Sequence, residues 1–229
     1  MFHPARPRLR RGLAVGAVVL STCLVASCAS QEPAPPSDPE RHGLLTIAIS
    51  PNSYEQVILG EIYKQVMQKS DRDTTMIMVD PKQGPMVDTL IHTNADVIIG
   101  CAGSILEELN PTRAEELRAH YADKDRTAPT VQAELREDTY KSMVGSLSNG
   151  LDAADPSNGS GCAEDSTDLA QNFVPVFLSD HATRETRLSL NIASGALRTD
   201  EIKELVQRAQ GGESARKLAA DYISSKGIE

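Results

Sequence analysis

The chain has no tryptophan, and only five tyrosines and three phenylalanines stand among its 229 residues. A site walled by aromatic faces has few side chains to draw on. Positive charge is scarce as well: 23 Lys+Arg face 32 Asp+Glu, and no basic run occurs beyond the first eleven residues. That balance argues against nucleic acid and against electrostatic binding to anionic lipid. His42, His92, His120 and His181 are scattered, with no His or Cys at ligand spacing, so no metal is expected. A glycine-rich phosphate loop, an HExxH and a Gly-x-Ser-x-Gly elbow are all missing. The paired acids Glu107-Glu108 and Glu115-Glu116 fall on helical stretches, where solvated charge is expected. No catalytic residue, no cofactor and no enzyme activity follow from the sequence. There are no internal repeats.

The longest apolar run, residues 13–24, is too short for a confident membrane span. Arg6, Arg8, Arg10 and Arg11 precede it and small residues follow it, the layout of an export signal. Leu24-Val25-Ala26-Ser27-Cys28 matches the lipobox of bacterial lipoproteins, which places cleavage before Cys28 and lipid on its thiol. Residues 1–27 are read as the signal. Its four arginines leave with it, so 19 basic residues face 32 acidic ones, a formal −13. Residues 28–42 are rich in Pro, Ser and Glu without an apolar period and read as a flexible tether. Cys101 and Cys162 then remain, and in an exported chain two such cysteines pair more often than not.

From residue 44 onward the pattern alternates. Residues 44–49 read as a buried strand, 53–69 as a helix with Leu59, Ile62, Tyr63 and Val66 on one face, and 75–79 as a strand. Residues 85–93 read as a short helix and 95–100 as a third strand. This order implies a parallel sheet with right-handed crossovers. Helices are expected near 104–109 and 112–121, the latter capped by Thr112. Residues 122–171 turn polar, with one short helix at 139–147 and loop over 151–168. Such a long irregular segment is functional, disordered or pinned by a cross-link. A strand returns at 172–178, where Pro175 suggests an edge or terminal position. Three helices follow, at 184–194, at 199–210 with Thr199 as cap, and at 214–226.

Ser50 to Gly60 resembles the first strand-loop-helix of the substrate-binding proteins of ABC importers for osmoprotectants such as glycine betaine and choline. Ser50, Asn52, Glu55, Gln56, Ile58, Leu59 and Gly60 carry the likeness. Asp96 to Ser104 occupies the place of that family's second signature, with Gly100-Cys101 where the family has Glu-Tyr. Gln171 to Val176 and the Leu190 to Ile202 pattern are similar to its return strand and C-terminal helices. The resemblance implies an α/β fold, type II periplasmic-binding-protein-like, with one parallel-sheet lobe (43–105 and 171–229) and a reduced, irregular second lobe (106–170). It further implies a lipid-anchored protein on the outer face of the bacterial cytoplasmic membrane. Such a protein delivers a small polar or quaternary ammonium solute to an ABC transporter permease. The rival reading is a degenerate relative that contacts other envelope proteins without carrying solute.

The ligand contacts that follow are Ser50, Asn52, Ser53, Tyr54 and Glu55 from the first loop, Ala102, Gly103 and Ser104 from the third, and Asn172 at the return strand. Each has a plainer alternative: Ser53 and Ser104 cap helices, Glu55 complements a helix dipole, and Tyr54 packs on its own helix. A Cys101–Cys162 disulfide is expected to tie the irregular segment to the end of the third strand.

Overall fold

The computed structural model describes residues 43–80, 86–162 and 168–228. The expected signal, tether and Cys28 lie outside the described residues. Five strands form one sheet in the order β2-β1-β3-β5-β4. β1 (Leu45–Ile49) pairs in parallel with β2 (Thr74–Met78) and with β3 (Val97–Cys101). β5 (Phe173–Leu178) and β4 (Leu151–Ala153) close the other side in antiparallel pairing, so the sheet is mixed.

Because strand side chains alternate between faces, this sheet supplies two cores. Leu45, Ile47, Ile49, Val97, Ile99, Phe173 and Phe177 point to one face. There they meet α1 (Tyr54–Lys69), α6 (Arg184–Ala196), α7 (Thr199–Gln210) and α8 (Ala215–Ser225). Ala48, Ile98, Val174 and Val176 point the other way. They pack on α2 (Asp88–His92), α3 (Ala102–Leu109), α4 (Pro111–Tyr121) and α5 (Pro129–Val144). The stretch 106–170 thus contributes α4, α5 and β4 to the same sheet, with Ala114, Leu117, Tyr121, Leu135 and Met143 buried against it.

Several local expectations change for identifiable reasons. Pro175 is not on an edge, since β5 lies between β3 and β4. Its carbonyl accepts Ala154 N at 2.9 Å, so its missing N–H falls on the same side, just where β4 ends, and the pairing with β3 loses nothing. α4 is capped by Asn110, whose side chain accepts Arg113 N at 3.0 Å, with Pro111 in the first turn, and not by Thr112. α7 has Arg198 at its N-cap, while the Thr199 hydroxyl accepts Ser160 N at 3.0 Å. α5 begins ten residues before the helix expected at 139; over 129–138 it buries only Leu135, so that stretch shows no apolar period. Glu108 is not a solvated surface acid: it accepts Met86 N and Val87 N at 3.0 and 3.1 Å, pinning the start of α2, and desolvation raises its carboxyl above the ordinary range. Ser53 caps α1 as read, accepting Gln56 N at 3.3 Å.

α1 lies close on the sheet at Gly60, where a Cβ would stand 2.6 Å from Ile49 Cγ2 and 2.8 Å from Met76 Sδ. Further along, Tyr63 is fully buried and its hydroxyl meets Ser194 Oγ of α6 at 2.8 Å. Burial pushes its ionisation well above the ordinary tyrosine range. The unfolded chain therefore loses this proton first, near pH 10, and stability falls as pH rises from there toward the folded value. The expected slope from Tyr63 is at most about 1.4 kcal/mol per pH unit. Urea unfolding of the wild type and Tyr63→Phe between pH 9 and 11 checks it, since the variant should lose that share of the dependence.

Candidate functional site

In open α/β sheets ligands bind beyond the carboxyl ends of the parallel strands. Here β3 runs directly into a helix start, and β1 reaches one through a short turn. After β1, residues 50–53 form a tight turn in which Ser53 N donates to Ser50 O at 3.3 Å. Pro51 and Asn52 are exposed, and Tyr54 is 49% exposed. Glu55 turns inward and accepts Cys162 N at 3.0 Å. Gln56 Nε2 donates to Ile99 O at 2.8 Å, locking the start of α1 to β3.

α3 follows β3 without a loop, and its first three amides are already engaged. Ala102 N donates to Asn172 O at 3.0 Å, Gly103 N to Ala170 O at 2.9 Å, and Ser104 N to Gln171 Oε1 at 3.2 Å. These are the orphan donors that would otherwise attract an anion. The segment 170–172 of the same chain occupies them. Ser104 stands in the third position of α3, not at its cap. Asn172 is buried, and its side-chain amide donates to Ser157 O at 2.9 Å.

A second strap crosses the same end of the sheet. Cys162 is bonded to Cys101 at 2.04 Å, the last residue of β3. Gly161 N donates to Gln171 O, and Ser157 N to Phe173 O. A Cβ on Gly161 would lie 2.2 Å from Phe173 Cζ and 2.4 Å from Glu55 Oε2, so only glycine lets the strap pass. Glu55, Cys101 and Cys162 offer ligand atoms within 4.8 Å of one another. With both sulfurs in a disulfide, that trio does not make a metal site.

Outside these straps, beside α5, lies an open cleft of about 410 Å³. Pro129, Gln132, Ala133 and Arg136 line it from α5; Asn158, Ser160, Gln171 and Asn172 line it from the straps. Of the expected contacts, Asn172 lines this cleft, and Ser104 reaches it only through Gln171. Ser50, Asn52, Ser53, Tyr54, Glu55, Ala102 and Gly103 do not line it. Sequence reading missed Gln132 and Arg136. Their signal was two polar residues at i, i+4 spacing, positions 132 and 136, visible only once the segment is known to be helical.

Among the described residues no aromatic ring lines the cleft. Tyr63, Tyr121, Tyr222, Phe173 and Phe177 are all buried in the cores. Tyr121 and Tyr222 donate to Asp138 and to Ala196 O, and desolvation raises the ionisation of both. A second carboxylate at the far end of the sheet, Asp96, has a structural task. It accepts Thr46 N at 2.7 Å and meets His181 Nδ1 at 2.5 Å. No helix among the described residues is long and apolar enough to cross a membrane.

A mixed sheet covered by helices on both faces, with an open cleft beside α5, defines an α/β lobe. No family model matches the chain, and no curated protein matches it. Among solved structures, apo YehZ from Escherichia coli is similar over 82% of this chain and 100% of its own, at 12% identity and a TM-score of 0.55. A TRAP periplasmic solute binding protein from Pseudomonas putida with bound D-glucuronate covers 82% of this chain and 86% of its own, at 9% identity and a TM-score of 0.40. Another, from Polaromonas and bound to D-erythronate, covers 81% and 83%, at 8% identity and a TM-score of 0.36. The first of these carries the fold: type II periplasmic-binding-protein-like α/β.

Proposed function

We propose that the chain is an extracytoplasmic solute-binding protein, held on the outer face of the cytoplasmic membrane by lipid on Cys28. It hands a small polar or quaternary ammonium solute to the permease of an ABC importer, as its resemblance to osmoprotectant-binding proteins implies. The observation that supports this reading is the open cleft of about 410 Å³ beside α5, outside the straps that cross the end of β3, in a binding-protein-like fold. In this reading residues 43–105 and 171–229 supply β1, β2, β3 and β5. Residues 106–170 stand in for a second lobe and supply the α5 wall.

A ligand that binds only the folded state stabilises it by mass action, about 2.7 kcal/mol at a hundredfold excess over Kd. For a domain of this size that is a rise of several degrees in Tm, on the order of 2–4 °C per kcal/mol. Thermal unfolding is to be followed with glycine betaine, choline, carnitine, proline betaine and small uncharged or anionic solutes at millimolar concentration. A rise with at least one solute is expected. Unchanged melting across the panel would favour the second reading, a lipoprotein that contacts other envelope proteins without solute. That reading draws on the α3 amides being capped by the chain's own residues 170–172.

A further inference from the structure

The cleft beside α5 differs in charge from the protein around it. The chain carries 32 acidic residues against 23 basic ones, yet among the described residues the ten that line the cleft include one arginine and no acid. Four of the ten are carboxamides, Gln132, Asn158, Gln171 and Asn172, and Ser160 adds a hydroxyl. A permanent cation is held best by π-faces or carboxylates, and this lining offers neither. We infer that the cleft takes a small organic anion, a carboxylate on a hydrogen-bonding body, with Arg136 as its counter-charge. The inference rests on the solute-binding reading and names the class of solute.

Arg136 is kept for an outside partner by the way its neighbours are paired. The acids nearest to it on α5 are each engaged elsewhere. Glu134 lies 4.0 Å from Lys124, Glu137 is 2.5 Å from Lys141, and Asp138 accepts the Tyr121 hydroxyl at 2.7 Å. Arg136 and Gln132 are exposed, and neither side chain has a hydrogen-bond or ion-pair partner among the described residues. They stand one helical turn apart, so their donors converge on one spot. A planar guanidinium fork matches a carboxylate bidentately. The carboxamides opposite are held in place by contacts outside the cleft. Asn158 Nδ2 donates to Gly195 O at 3.2 Å and Asn172 Nδ2 to Ser157 O at 2.9 Å. One N–H of each amide is thereby engaged with the fold, and both side chains are oriented before any ligand arrives. Pro129 begins α5, and no side chain caps that helix start, so the positive end of its dipole adds to the same preference. The volume, about 410 Å³, suits a solute of a few to about ten heavy atoms.

Isothermal titration of the full chain with L-lactate, L-malate, citrate, D-gluconate and L-glutamate tests the inference. Sorbitol, the uncharged counterpart of gluconate, and glycine betaine are run in parallel. At least one carboxylate is expected to bind, more tightly than sorbitol and more weakly as salt is raised. Arg136→Gln should weaken it at least about tenfold, and Arg136→Lys less, since it keeps charge without the fork. Arg216→Gln, an exposed arginine on α8, should change nothing. Arg136 is exposed, so its variants should melt with the wild type. Binding that survives Arg136→Gln, or sorbitol binding as tightly as gluconate, overturns the inference. Binding of glycine betaine alone overturns it too, while leaving solute binding intact. Binding of nothing in the panel overturns both.

Discussion

Replacing Cys101 and Cys162 together by serine is expected to lower the unfolding free energy by about 4 kcal/mol in the chain-entropy account of cross-links. The two cysteines are 61 residues apart in sequence. Cutting the bond frees that whole loop in the unfolded chain, and loop-closure entropy grows slowly but steadily with length. Native contacts partly hold the strap without the bond, through Cys162 N on Glu55, Gly161 N on Gln171 O and Ser157 N on Phe173 O. The folded form should therefore survive the double replacement, and the loss should be read mostly from the unfolded side. Urea unfolding of the double variant, and of the wild type with and without reductant, measures it. The two experiments should agree, and a loss under about 1 kcal/mol would show that the bond does not constrain this fold as its loop length requires. Because Asn158 and Ser160 of the same strap line the cleft, solute affinity should fall in the double variant as well.

The packing under that strap carries the second large effect. Phe173 is fully buried at the start of β5, and its ring fills the space left by the missing side chain of Gly161. Phe173→Ala should cost about 3–5 kcal/mol, the ordinary range for removing a buried phenylalanine. Gly161→Ala should cost about 1–3 kcal/mol, because its methyl would lie 2.2 Å from Cζ and 2.3 Å from Cε1 of that ring. The two positions are coupled through those ring atoms. A leucine at 173 lacks them, so Gly161→Ala should cost less in a Phe173→Leu background. A double-mutant cycle from urea midpoints is the measurement. Additivity within about 0.5 kcal/mol would mean that the ring and the strap do not press on each other.

The periodic parts of the fold could be read from the residues in order. Leu45, Ile47 and Ile49 alternate with Ala48, and Val97 and Ile99 with Ile98, so both strands were apolar enough to be placed between two helical layers. Ser53 before Glu55 and Gln56 marked the start of α1. Gly211-Gly212 marked the break between α7 and α8. The first ten residues of α5, 129–138, escaped because they bury only Leu135. Without apolar periodicity a helix looks like a loop.

What the residues determined by themselves was local: which segments must bury a face, where helices begin, and that two cysteines were left to pair. Which segments meet was decided only in three dimensions. The antiparallel return of β5 carries residues 170–172 across the start of α3, where they take the amides that a ligand was expected to use. The same return, with the cross-linked strap, moves the open cleft sideways to α5 and sets Arg136 opposite Asn158 and Ser160. Hydrogen bonds between residues 67 positions apart, such as Ser104 to Gln171, leave no periodic trace. They are chosen by geometry after the apolar faces have been buried.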